Sequence, residues 1–209
     1  MAAGIGGDYY DFFGRSPKDG QGPTRDDLGI LVADVSGHSV ASALIATSFR
    51  SSFRHAYAEG SSPAELFRRV NSEICAELPT AVSYLSAFYA VLDGRDLELR
   101  YTNAGHPRPF VLTPTSGEIR RLDEAEVLMG VVPEVDYPCA KARLKPGDIF
   151  VIYTDGIVEA EDDRRQAFGT RRLEYSVRMN AELSARAIHQ RILEDLYAFK
   201  GSRINDDDV

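Results

Sequence analysis

Aspartates in separate stretches of the chain are the residues best suited to chemistry. Asp8 and Asp11 lie in GGDYYD, Asp34 ends the apolar run LGILVAD, Asp155 follows IFVIYT, and the chain closes with NDDDV. No Lys or Arg lies within three residues of Asp8 or Asp34, or within eight of Asp155. An ionised carboxylate beside an apolar strand must be paired, protonated or bound to metal. Four such carboxylates would serve two Mg²⁺ or Mn²⁺ ions.

Other interpretations of these motif residues remain open. Taken singly, each aspartate is also typical of a turn or a cap, and for Asp11 a cap or a contact that supports a ligand is preferred. His38 and His106 lie in loops, where a histidine can protonate a leaving group, orient a carboxylate or simply bond to backbone. Asn103 and Gly105 are expected mainly to shape the turn before His106.

Composition and charge limit the class of protein. The 209 residues contain no repeat, 44% are hydrophobic and 27% charged, which is ordinary for one soluble globular domain. No apolar stretch approaches the roughly 20 residues that span a bilayer, and no secretory signal is visible, so a cytoplasmic setting is expected. A net charge of -8 argues against nucleic acid as a partner. Cys75 and Cys139 have no spacing that suggests a disulfide framework or a zinc site.

The apolar periodicity predicts a strand and two helices in the first half of the chain. Residues 28–35 have the length and composition of a buried strand. A helix is expected from Val40 to about Ala58, because large apolar residues recur there every fourth position. A second helix, with its apolar stripe ending at position 78, should begin at Pro63, since Ser62 and Glu65 form a capping box.

Strands joined by tight turns dominate the middle of the chain. Turns are predicted at 93–96, 114–117 and 145–148, each between two strand-like runs that should form a hairpin. Another amphipathic helix is expected after Ser184. Strands connected in this way pair antiparallel, so the predicted class is α+β, with two sheets and helices outside them.

Five motifs give the chain a family resemblance. GIGGDYYDFF, ADVSGHSVASAL, NAGHPRPFVL, YTDGIVEA and NDDDV resemble, in order and spacing, the bacterial metal-dependent phosphatases of the PPM (protein phosphatase 2C-like) family. The subgroup is that of the sporulation stage II E and RsbU-type phosphatases. The resemblance implies an antiparallel β-sandwich flanked by helices in α-β-β-α layers. It also implies that 1–209 is a single PPM-type domain from a longer protein, without the family's first and last strands.

The same resemblance implies a site for two Mn²⁺ or Mg²⁺ ions. Carried over by motif, Asp8 would bind one ion and Asp34 would bridge both, while the Val35 carbonyl, Asp155 and Asp207 would complete the set. Asp206 is the alternative to Asp207. A water held by the ions would attack phosphorus, so no side chain is expected to act as the nucleophile. Residues expected to support the ligands or to contact substrate are Asp11, His38, Asn103, Gly105, His106, Gly156, Asp206 and Asp208.

Two functions follow as competing hypotheses. The resemblance implies a phosphoserine/phosphothreonine phosphatase that acts on a phosphorylated anti-anti-sigma factor or a similar regulatory protein, with a sensor domain upstream in the full-length protein. The residues exclude a cysteine phosphatase, because Ala81 and Lys145 stand where Cys-x5-Arg needs arginine. The alternative is a weakly active or inactive binding module, suggested by Ser39 and Ala41 where the family has Gly and Pro.

Overall fold

The chain folds into antiparallel sheets and helices. The computed structural model describes residues 7–15, 27–36, 40–58, 61–77, 84–123 and 127–201. They form two compact units. The first contains the described residues of Met1–His106 and Glu124–Leu144, and the second those of Pro107–Asp123 and Lys145–Val209.

A five-stranded antiparallel sheet is the centre of the first unit. Its strands are β1 (Asp8–Arg15), β2 (Asp27–Val35), β3 (Leu85–Leu92), β4 (Glu98–Ala104) and β7 (Ala140–Arg143). They lie side by side in the order β1-β2-β3-β4-β7. Because the side chains of a strand alternate between the two faces, β2 buries every second residue, at Leu31, Ala33 and Val35.

Two helices cover one face of this sheet. Helices α1 (Val40–Ala58) and α2 (Pro63–Glu77) start and end close to the predicted bounds. Phe49 and Phe53 of α1 are fully buried in the same core as Leu31 and Ala33. The predicted capping box is present at the start of α2, where the Glu65 carboxylate accepts the Ser62 backbone N–H at 2.9 Å.

The second unit has its own sheet and core. Strands β5 (Phe110–Thr113), β6 (Glu118–Arg121) and β8 (Ile149–Val151) form an antiparallel sheet in the order β6-β5-β8. The helices are α3 (Asp155–Val158), α4 (Gly169–Met179) and α5 (Ala185–Lys200). Leu112 of β5 shares a buried core with Leu173 of α4 and Leu196 of α5. Ser184 caps α5 by accepting the Ala187 N–H at 3.3 Å.

The structure confirms the predicted class, α+β with antiparallel sheets, and corrects one strand pairing. The turns at 93–96 and 114–117 join paired strands. The predicted hairpin around 145–148 is wrong, because β7 pairs with β4 in the first unit whereas β8 pairs with β5 in the second. The turn itself exists, with the Asp148 N–H donating to the Lys145 carbonyl at 3.0 Å. Turn residues fix a change of direction but not the strand that each side pairs with.

None of the helices in the described part of the chain is both long and apolar enough to span a membrane.

Candidate metal centre

Asp8 and Asp34 are direct neighbours across two strands. β1 and β2 pair antiparallel in a register that sets Asp8 opposite Asp34. Directly opposed residues of an antiparallel pair project from the same face, with Cβ atoms about 4.5–5.5 Å apart. The Val35 N–H donates to the Gly7 carbonyl at 3.3 Å, which fixes the strand ends beside the two carboxylates.

Ser86 extends this pair into a row of three side chains. It is the residue of β3 that stands opposite Asp34. Ala33, Val35 and Ala87 belong to the core under the helices, so their neighbours Asp34 and Ser86 project from the other face of the sheet. Asp8, Asp34 and Ser86 therefore form a polar row at one end of that face, defined here as the carboxylate row.

His106 reaches the carboxylate row through Ser86. The Ser86 hydroxyl lies 2.9 Å from His106 Nδ1, and His106 is only 2% exposed. The Asn103 side chain accepts the His106 N–H at 2.8 Å and donates to the His106 carbonyl at 3.0 Å. Gly105, at φ 68°, supplies the left-handed backbone conformation that this turn needs. Asn103 and Gly105 thus shape the turn that presents His106.

Asp11 lies on the opposite face of β1 from Asp8. Its carboxylate accepts hydrogen bonds from the Arg54 guanidinium of α1, at 2.9 Å from Nε and 2.5 Å from Nη2, and from the Tyr9 hydroxyl at 2.5 Å. Burial alone would raise the pKa of Asp11, but hydrogen bonds from Tyr9, Arg54 and the Phe12 N–H outweigh it and lower that pKa. The structure thus places Asp11 in a contact between β1 and α1.

The remaining predicted residues divide between the second unit and undescribed parts of the chain. Asp155 is the first residue of α3, after the N-cap Thr154, and Gly156 is buried beside it. The expectation that Asp155 lies directly at the end of a strand is wrong, because β8 ends at Val151 and Asp155 begins α3. His38, Asp206, Asp207 and Asp208 lie outside the described residues.

Ser86 and Arg54 are the neighbours of predicted site residues that sequence reasoning missed. Ser86 is the one small polar residue in the otherwise apolar and aromatic run LSAFYAVL, which was the available signal. The contact between Arg54 and Asp11 could not be predicted, because the two residues are 43 positions apart and no local pattern connects them.

The donor chemistry of the carboxylate row fits a hard divalent cation. Like charges directly opposed on neighbouring strands destabilise a sheet, and a divalent cation bound by both carboxylates offsets that repulsion. Within the described residues, no group of three or more His, Cys, Asp or Glu side chains is placed to hold a metal ion. The row thus offers two carboxylates to such a cation, and a complete site would need ligands beyond these two.

Solved structures share this fold. The SiaA-PP2C domain of Pseudomonas aeruginosa superposes with a TM-score of 0.82 at 23% identity, covering 97% of this chain and 78% of that one. The RsbU and RsbW domains of Rv1364c from Mycobacterium tuberculosis give 0.76 at 25% identity, covering 100% and 54%. The catalytic domain of the serine/threonine protein phosphatase PstP, in complex with two manganese ions, gives 0.60 at 14% identity, covering 93% of each. The fold is that of the PPM-type phosphatases.

The family follows from the sequence comparison. The model of the family described as Stage II sporulation protein E (SpoIIE) matches residues 24–209. The chain belongs to the SpoIIE family, in the same subgroup as the RsbU-type phosphatases. Phosphoserine phosphatase RsbU of Bacillus subtilis is 23% identical over 159 residues, which cover 76% of this chain and 44% of RsbU. The chain spans between 30% and 44% of the length of the curated relatives it matches.

Proposed function

We propose that this chain is a metal-dependent phosphatase that hydrolyses phosphoserine or phosphothreonine on a regulatory protein. The observation that carries the proposal is the register of β1 and β2, which sets two carboxylates side by side at one end of a sheet. Membership of the SpoIIE family supports the reaction class. RsbU, a member of the same subgroup, is named a phosphoserine phosphatase.

The proposed ligands are Asp8, Asp34, the carbonyl of Val35, Asp155 and Asp207, holding two Mn²⁺ or Mg²⁺ ions. Asp34 stands directly opposite Asp8, which supports binding of one ion by both carboxylates. The two manganese ions of PstP support the metal and the count. When bound, such ions supply an activated water and positive charge for the transition state of phosphoryl hydrolysis. The protein's own part is to hold the carboxylates in place.

The proposed substrate is a phosphorylated anti-anti-sigma factor, and the proposed setting is the cytoplasm. The solved structure of Rv1364c contains an RsbU domain together with an RsbW domain. This pairing supports a role for the chain in the regulation of sigma factors. The curated relatives are at least twice as long as the segment they share with this chain, which supports a sensor domain in the full-length protein. We propose that both units belong to one phosphatase domain, since the family model runs through both.

Phosphate release from a phosphoserine-bearing anti-anti-sigma protein tests the proposal. We expect release that requires Mn²⁺, stops with a chelator and is abolished by Asp34→Asn. A regulatory binding module would instead bind the phosphoprotein without releasing phosphate. Release that survives both the chelator and the substitution would contradict the mechanism.

A further inference from the structure

Ser86, His106 and Asn103 form a buried polar group beside the carboxylate row. Ser86 is 9% exposed, and Asn103 and His106 are each 2% exposed. Their neighbours on β3 and β4 include the buried apolar residues Phe88 and Ala104. Burying polar atoms costs free energy unless they are hydrogen-bonded, so this group must be held by specific bonds.

The bonds of this group converge on one orientation of the His106 ring. Asn103 fixes the His106 backbone with two hydrogen bonds, at 2.8 and 3.0 Å. Gly105 forms a bridge with Ala87, which ties the turn to β3 one residue after Ser86. With its backbone fixed in this way, the ring meets the Ser86 hydroxyl through Nδ1 at 2.9 Å. Ser86 in turn stands opposite Asp34.

We propose that Ser86 and His106 are positioning residues for Asp34. His106 carries its proton on Nδ1 and donates it to the Ser86 oxygen. The Ser86 hydroxyl hydrogen is then available to the carboxylate of Asp34, its cross-strand neighbour. A hydrogen bond from this donor to Asp34 would orient that carboxylate and offset part of its repulsion from Asp8.

The inference adds two positioning residues to the proposed function. It rests on that function, because it takes Asp34 to be a metal ligand. Hydrogen-bond partners of metal ligands orient those ligands, and their loss typically weakens metal affinity by about 10- to 100-fold. The opposite tautomer of His106, with the proton on Nε2, would make Nδ1 an acceptor and draw the Ser86 hydrogen away from Asp34. The tautomer therefore distinguishes a positioning role from simple core packing.

Two variants of Ser86 separate the hydroxyl from the shape of the side chain. Ser86→Thr keeps the hydroxyl, whereas Ser86→Val has nearly the same volume as Thr without it. We expect calorimetric Mn²⁺ affinity within about twofold of wild type for Ser86→Thr and about tenfold weaker for Ser86→Val. Ser176→Ala, at a buried serine of α4, is the control and should bind Mn²⁺ like the wild type. Equal affinities for Ser86→Thr and Ser86→Val would overturn the inference.

Nitrogen-15 NMR of the imidazole rings in the metal-free protein at about pH 8 reports the tautomer of His106 and does not depend on phosphatase activity. We expect His106 as the Nδ1–H tautomer in the wild type and in Ser86→Thr. An Nε2–H tautomer in the wild type would overturn the inference even if the enzyme is active. If the wild type binds no Mn²⁺ at all, the proposed function fails, and the tautomer still decides whether the Ser86 hydrogen is directed to Asp34.

Discussion

Two carboxylates on directly paired residues repel each other, and the pairing of β1 with β2 imposes this arrangement on Asp8 and Asp34. The register is fixed by the whole length of the two strands, from Asp8 opposite Asp34 to Arg15 opposite Asp27. Packing of alternate β2 residues under α1 and α2 prevents a slip by one position, which would turn Asp34 into the core. The sheet therefore holds the two carboxylates side by side, an arrangement that a bound divalent cation would stabilise.

Thermal unfolding with and without Mn²⁺ tests the role of Asp34 at the residue scale. A ligand that binds only the folded state stabilises it by about 2.7 kcal/mol when its concentration is 100 times Kd. We expect Mn²⁺ to raise the Tm of the wild type by several degrees and to leave the Tm of Asp34→Asn nearly unchanged. The substitution keeps the shape of the side chain and removes the charge that binds the cation.

Asp11→Asn is the matched control for this experiment. Asp11 lies three residues from Asp8 on the same strand, yet it faces α1 and pairs with Arg54. We expect this variant to have a lower Tm without metal and to keep the full increase on addition of Mn²⁺. An equal loss of the Mn²⁺ response in both variants would contradict the assignment.

The lowered pKa of Asp11 also predicts how the stability of the protein depends on pH. Its pKa is lowered in the folded protein, so its contribution is complete above the ordinary aspartate value of 3.8 and is lost as pH falls through the lower folded value. We expect the stability difference between wild type and Asp11→Asn to be constant from about pH 6 to about pH 5 and to shrink below about pH 4. Urea unfolding at a series of pH values measures it. A difference that grows in acid would contradict the lowered pKa.

At the scale of elements, close contact between β1, β2 and β3 depends on a glycine. A Cβ built at Gly29 would lie 3.0 Å from the Phe13 Cβ and 3.0 Å from the Tyr89 hydroxyl. Phe13 stands opposite Gly29 in the register, and its ring packs against Phe53 of α1 at 5.4 Å between centroids. An added methyl would therefore press against the Phe13 side chain of β1 and the Tyr89 hydroxyl of β3.

We therefore expect Gly29→Ala to lower the free energy of unfolding by about 1–3 kcal/mol, because the added methyl overpacks the core. Gly14→Ala, on the neighbouring strand, is the control: nothing lies within 4 Å of its added Cβ. We expect that change to alter stability by no more than about 0.5 kcal/mol. Denaturant unfolding measures both. Equal effects of the two substitutions would show that the β1 and β2 pairing is looser than described.

Local sequence signals predicted some elements well and others poorly, for physical reasons. α1 and α2 carry long apolar stripes, and Ser62 with Glu65 marks the start of α2. α4 was not predicted, because its buried stripe is only Leu173, Ser176 and Val177 and contains a serine. The partners of β7 and β8 depend on contacts distant in sequence, which a turn signal cannot supply.

The candidate site was likewise predicted only in part. The motifs indicated Asp8 and Asp34 as candidate ligands, but only the strand register shows that they are neighbours and that Ser86 is beside them.

At the scale of the whole molecule, the charge balance sets which substrates approach readily. The chain has 24 basic and 32 acidic residues, a net charge of -8. The electrostatic field of this negative charge attracts divalent cations and basic protein segments and repels acidic segments, over distances of about 10 Å at ordinary salt.

Two phosphoserine peptides that differ only in the charge of their flanking residues test this field. We expect the peptide with basic flanks to have the higher kcat/KM at low salt, because it is attracted to the acidic molecule. The ratio of the two kcat/KM values should approach one as salt rises to about 0.5 M, since the charges are then screened. A preference for acidic flanks, or a ratio that salt does not change, would contradict a role for net charge.

Crystals grown with Mn²⁺ and measured at the manganese absorption edge give the most direct test of the metal site. We expect anomalous difference peaks within coordination distance of the carboxylates of Asp8 and Asp34, and none there in crystals of Asp34→Asn. Manganese bound only at other residues, in a protein that still releases phosphate from phosphoserine, would contradict the assignment of these two aspartates.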